Sequence, residues 1–184
     1  RTRARATALA AELSVAAPES LAELAAMSYL VFVCVSADLD VRAVVAALKP
    51  GLRAGSIVVD TSTVSMQTAT DLAAELKAIG VDFLDAPLTG GVEGAKNGKL
   101  SVMVGGDEAV LARALPAFEA FSLRVTRMGG VGAGQADAGN AHGEKGHGAD
   151  QCPDPAAGGH RANGPAAAQR EDVAPLLRVT LRQD

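Results

Sequence analysis

The stretch from Tyr29 to Val35, YLVFVCV, is apolar without interruption and rich in β-branched residues. A run of that kind fits a strand buried on both faces, which requires a sheet covered by helices on each side. The flanking sequence repeats the theme. Ala4 to Leu13 is rich in Ala and Leu with no breaker and predicts a helix. Ser20 to Ala26 predicts a short helix after Pro18. Val41, Val44, Val45 and Leu48 share one helical face, which Pro50-Gly51 closes. Ser56 to Asp60, SIVVD, reads as a second buried strand. Ser65 is placed to cap the next helix, with Leu72, Leu76 and Ile79 on one face and Gly80 as its stop. Val81 to Leu84 predicts a third strand and Leu100 to Val104 a fourth. Asp107 and Glu108 open a further helix, with acids at the end the helix dipole favours. Pro116 is expected to break that helix in two, and Leu123 to Arg127 is the last strand.

Strands and helices alternating at this spacing mean βαβ units, right-handed crossovers and a parallel sheet with helices on its faces. Hydrophobic residues make up 48% of the chain, enough for a core, but aromatics only 3%, so that core is built from Ala, Val and Leu. The pattern stops at residue 136. Asp137 to Asp172 holds no Val, Ile, Leu, Met, Phe, Tyr or Trp, and it carries all three histidines. Nothing there can offset chain entropy, so disorder is the expectation for a tail at 137–184, with one short helix or strand at Val173 to Leu181. The domain at 1–136 is the part expected to fold.

A net charge of -4 gives no electrostatic reason to expect nucleic acid or a membrane surface as partner. The longest apolar run is too short to span a bilayer. Cys34 and Cys152 make no disulfide framework, so a reducing cytoplasm is expected. The N-terminal RTRARATALAAELS is basic and Ala-rich like a transit peptide, but Glu12 and the lack of a cleavage-type segment argue against one. Without an initiator Met, the chain is expected to begin mid-gene.

In open α/β sheets, ligands bind beyond the carboxyl ends of the strands. The residues there are Val35-Ser36, Thr61-Ser62-Thr63, and Pro87 to Gly94 within DAPLTGGVEG. Small hydroxyls and glycines at three neighbouring strand ends describe a polar cleft with room for a cofactor and a small polar substrate. The competing readings are a capping cluster for Thr61 to Thr63, which is compatible with a site role, and an ordinary glycine loop for LTGG. A response-regulator-like module would need an acidic pocket at the strand ends, where hydroxyls and glycines stand instead.

DAPLTGGVEGAKNGKLSVMVGG resembles the substrate-binding motif of the β-hydroxyacid dehydrogenases, a family that includes 3-hydroxyisobutyrate dehydrogenase, tartronate semialdehyde reductase and 6-phosphogluconate dehydrogenase. Asp85, Ala86, Pro87, Thr89, Gly90, Gly91, Gly94, Ala95, Gly98 and Leu100 fit it, with Thr89 for the usual Ser. VVDTSTV at 58–64, GGDEAVLARALPAFEAF and VTRMGGVGAGQA continue the likeness, which covers Arg1 to about Ala136. The resemblance implies hydride transfer between NAD or NADP and a small 3-hydroxy acid or semialdehyde. It implies that Thr89, Gly90 and Gly91 hold the substrate carboxylate. Val35, Ser36 and Thr63 would line the nicotinamide side of the cofactor. Arg1 would meet the 2′-phosphate of NADP, which tilts the expectation toward NADP. The family forms homo-oligomers.

The chain departs from the family in three ways. The fingerprint G-x-G-x-x-G is absent, and GGVGAG at 129–134 has neither its spacing nor its place after a first strand. The family's catalytic Lys falls on Ala138, so no catalytic residue is expected; Ala141 and His142 stand where its Asn belongs, and Lys145 is out of place. The helical domain that closes the cleft and makes the dimer gives way to the Ala/Gly/Pro/His tail, as a frameshift near residue 137 would produce. His142, His147, Cys152 and His160 match no compact zinc pattern, so no metal is expected. The expected fold is therefore an incomplete Rossmann-type doubly wound parallel sheet lacking its first strands, with open edges that favour aggregation. The expected chain is inactive alone; the rival reading is a non-catalytic remnant that binds a small carboxylate or a partner.

Overall fold

The computed structural model describes residues 3–136 and residue 138. Arg1 and the tail, with His142, Lys145, His147, Cys152 and His160, lie outside the described residues. The chain order is α1 (Arg3–Glu12), α2 (Leu21–Ala26), β1 (Leu30–Val33), α3 (Asp38–Leu48), a 3₁₀ turn at Lys49–Gly51, β2 (Ile57–Asp60), α4 (Met66–Lys77), β3 (Asp82–Asp85), β4 (Leu88–Thr89), α5 (Gly91–Lys96), β5 (Leu100–Gly105), α6 (Glu108–Glu119) and β6 (Ser122–Gly129). Residues 133–136 then start a further helical turn.

β1, β2 and β3 are parallel and level, Val33 opposite Asp60 and Asp60 opposite Asp85. Their side chains alternate between two cores. Val31, Val33, Val58 and Phe83 face Val41, Val45, Leu48, Leu72 and Leu76 of α3 and α4. Leu30, Phe32, Ile57, Val59 and Leu84 face Val110, Ala114 and Phe118 of α6. Phe32 meets the rings of Phe118 and Phe121 edge-on, at centroid distances of 5.4 and 5.6 Å. The core thus rests on aliphatic residues with one aromatic cluster on the α6 side. Ser20 caps α2 and Ser65 caps α4 through their side chains. Arg113 of α6 ties the amino ends of the strands, donating to Asp82 at 2.8 Å and to the Tyr29 hydroxyl and the Gly55 carbonyl.

Three expectations need correction. The sheet is mixed: β5 runs antiparallel to β3 and β4, and parallel only to β6. The link from β3 to β5 holds only β4 and the six-residue α5, too little for the helical crossover that returns a strand in the same direction. α6 continues through Pro116. Pro116 and Ala112, whose carbonyl loses its helical donor, are both exposed, so water can serve that carbonyl while Val110, Leu111, Ala114, Ala117 and Phe118 bury on either side of the proline. Ile79 lies beyond α4 and is 42% exposed, so only Leu72 and Leu76 of that trio are core. β1 is an edge strand of the described sheet.

Candidate functional site

The carboxyl ends of β1, β2 and β3 form one level rim. At β1 the chain leaves through Val35, half-buried, and Ser36, exposed. The Val35 N–H donates to Ser62 Oγ at 2.9 Å. Thr61 donates its hydroxyl to the Val33 carbonyl at 2.9 Å. Thr61 and Ser62 are buried, so they tie the ends of β1 and β2 together, and the cap of α4 falls to Ser65. Thr63 alone of that trio is exposed. Val35, Ser36 and Thr63 thus lie on two adjacent loops joined by the Val35–Ser62 hydrogen bond.

Asp38, at the start of α3, holds the same two loops from the outside. Its carboxylate accepts from the Ser65 N–H at 3.1 Å, from Thr68 Oγ1 at 2.6 Å and from Ser65 Oγ. The Ser65 and Thr68 hydroxyls hold that carboxyl below its usual range.

Thr89, Gly90 and Gly91 stand further out. β3 and β4 keep one register along β5, with Asp85 opposite Gly105, Leu88 opposite Val102 and Thr89 opposite Ser101. β4 is thus β3 continued past the rim, with Thr89 exposed at its tip. Gly90 (φ 124°) and Gly91 (φ 59°) occupy backbone conformations that favour glycine, and they turn the chain into α5. A side chain at Gly91 would meet open space, so its backbone is accessible to a ligand. The first N–H groups of a helix have no partner within it, and here they follow directly on Thr89.

Sequence reasoning gives no role to two acids, Asp60 and Asp85, which sit side by side at the rim and are fully buried. Asp85 Oδ1 accepts from the Gly132 N–H at 2.7 Å and Oδ2 from the Gln135 N–H at 3.0 Å. Gln135 in turn accepts from the Val64 N–H at 3.1 Å and donates to the Ser62 carbonyl at 2.7 Å. GGVGAG is therefore seated on Asp85 through Gly132. Asp60 accepts from the Ser62 N–H at 2.9 Å through Oδ1. Its Oδ2 has no hydrogen-bond partner among the described residues. Burial pushes the Asp60 carboxyl up to about 6, with the charges of Asp85 and Asp38 adding to the rise. Burial also raises Asp85, against the pull of the backbone N–H groups. The available signal was an acid ending each of two apolar runs, at Asp60 and Asp85. Covered as they are, these acids make no open acidic pocket. Ala138 is buried, 1% exposed.

Over residues 1–130 the chain matches the family described as the NAD binding domain of 6-phosphogluconate dehydrogenase. It belongs to the β-hydroxyacid dehydrogenase family. Within that oxidoreductase family, it is 46% identical to 2-hydroxy-3-oxopropionate reductase of Escherichia coli over 81 residues, 44% of this chain and 28% of that protein. The fold superposes on the 3-hydroxyisobutyrate dehydrogenase of Mycobacterium tuberculosis, solved with L-serine, at a TM-score of 0.67 and 35% identity, covering 70% of this chain and 44% of that one. It superposes on Psf3, solved with NADP+ and 2-OPP, at a TM-score of 0.65 and 33% identity, covering 70% and 48%. The chain thus spans less than half the length of each of these relatives. Among the described residues no helix is long and apolar enough to cross a membrane, and no three His, Cys, Asp or Glu side chains are grouped to hold a metal ion.

Proposed function

We propose that this chain forms the nicotinamide-facing part of an NAD(P)-dependent oxidoreductase acting on a small 3-hydroxy acid or the matching semialdehyde. The observation that carries the reading is the rim itself: exposed Ser36 and Thr63 on adjacent strand ends, with Thr89-Gly90-Gly91 projecting beyond the third. Small neutral hydroxyls suit the ribose and carboxamide of a nicotinamide nucleotide, so Val35, Ser36 and Thr63 are assigned to the cofactor. Thr89 offers one donor and Gly90-Gly91 a bare backbone at a helix start, which suits a carboxylate. When bound, the cofactor supplies hydride transfer. The pyrophosphate turn G-x-G-x-x-G is not in this sequence, so these residues fit the nicotinamide half alone.

NADP is favoured over NAD, on Arg1 and on the NADP+ held by Psf3. The cytoplasm is the assigned compartment. Because Ala138 stands where the family resemblance puts a Lys proton donor, binding and not turnover is expected of this chain. Titration of NADPH and NADH fluorescence with the chain tests the reading. A saturable change, stronger for NADPH and altered by Thr63→Val, supports it; no change at high cofactor concentration refutes it.

A further inference from the structure

The residues at the rim do more than present hydroxyls. Segment 129–136 has no core of its own beyond Val131. The Gly106 N–H donates to its Gly129 carbonyl, and one pair of side chains holds the rest at Gly132 and Gln135. Asp85, reaching up from β3, takes the N–H groups of Gly132 and Gln135. Gln135, reaching back, takes the Val64 N–H and gives to the Ser62 carbonyl. The fit is tight: a side chain at Gly105 would start 2.3 Å from Asp85 Oδ1, and one at Gly134 would start 2.5 Å from the Met103 carbonyl oxygen. The neighbouring strand β2 ends in Asp60, whose Oδ1 takes the Ser62 N–H while Oδ2 has no partner among the described residues in a fully buried setting.

We propose that Asp85 and Gln135 are positioning residues that lock segment 129–136 and the Thr61–Val64 loop into one rigid unit, and that Asp60 controls the lock by gaining and losing a proton. The proposal rests on the reading of the rim as the site only in what the lock serves, since it fixes the loop that carries Thr63 relative to Gln135. The lock itself is a property of this chain. With its proton, Asp60 is neutral and Oδ2 is a hydroxyl. Without it, an unpaired charge sits buried on the strand beside the Asp85 carboxylate, with Asp38 the third acid acting on it. Both the burial and the neighbouring acids disfavour that charged state.

The sign follows from linkage. The folded-state value of Asp60 lies above its unfolded value, so its contribution is complete below 3.8 and is lost as pH rises to about 6, then stays level. Local opening of the lock is therefore expected to rise by about tenfold per pH unit across that window. Amide hydrogen exchange of the chain, corrected for intrinsic rates, reads this directly. Peptides covering 61–66 and 129–136 are expected to lose protection together as pH rises from about 4 to about 6 and to flatten above, with α6 unaffected. Asp60→Asn, the isostere of the protonated acid, should shrink the pH step to the part that Asp85, also raised by burial, contributes; Gln135→Ala should loosen both peptides at every pH and keep the full step. Flat protection in the wild-type chain overturns the proposal. So does a step shared with α6, or a Gln135→Ala variant that leaves 61–66 unchanged. None of these readouts involves cofactor, so a failed NADPH titration leaves the lock standing or falling on its own result.

Discussion

Gly134 lies so close to Asp85 that a side chain on it would start 2.9 Å from the Asp85 carboxylate and as near to its carbonyl oxygen. Gly130, four residues earlier in the same segment, has nothing within 4 Å. Gly134→Ala should therefore destabilise the domain by about 2–4 kcal/mol, as overpacking against backbone does, while Gly130→Ala stays within about 0.5 kcal/mol. Urea melts of the two variants make the comparison. Equal effects would mean the segment is not seated on β3.

Phe118 is fully buried against Phe32 and Phe121, whereas Leu39 is 80% exposed. Phe118→Ala should cost about 3–5 kcal/mol through lost burial and the cavity it leaves. Leu39→Ala should be nearly silent. A cooperative melt that shifts with Phe118→Ala also answers whether the chain has a specific core or a molten one.

Asp38 joins the β1–α3 and β2–α4 loops through Ser65 and Thr68. Asp38→Ala should cost about 1 kcal/mol, the low end for a charge-assisted network because the carboxylate is partly exposed. Its folded value is lowered, so this contribution is present above 3.8 and disappears as pH falls through the lowered value. Acid titration of both proteins should show the gap between them closing at the acid end. A gap that persists there would place the effect in packing and not in charge.

Thr89 is exposed and bears on no core. Thr89→Ala should leave stability unchanged and weaken binding of a small 3-hydroxy acid by roughly tenfold, the loss of one hydrogen bond to a charged group. Thr89→Ser should restore it. Calorimetric titration decides; equal affinity in all three proteins removes Thr89 from the site.

Much of this was legible because burial on both faces leaves a plain trace. YLVFVCV and SIVVD became β1 and β2 within two residues at each end. Strand direction left no such trace: Leu100 to Val104 reads the same whichever way it runs, and only the shortness of the link from Asp85 decides it. Pro116 stays inside α6 because it and Ala112 face water, which the local sequence does not reveal. Among the residues proposed for the site, Thr89 to Gly91 stand out by composition, and Ser36 and Thr63 by their place after strands. The buried acids did not, since Asp60 and Asp85 look like ordinary strand endings until Gly132 and Gln135 are seen to close over them.

The continuous register of β3 and β4 along β5 has a mechanical consequence. Thr89 rides on a sheet strand, so its depth in the cleft is indexed by the ladder and changes only in whole steps. One residue inserted at Pro87 would move it by about 3.3 Å and turn its hydroxyl to the opposite face. Adapting the proposed site to a longer or shorter ligand is therefore a matter of exchanging residues around Thr89, because the rail that carries it cannot be tuned by degrees.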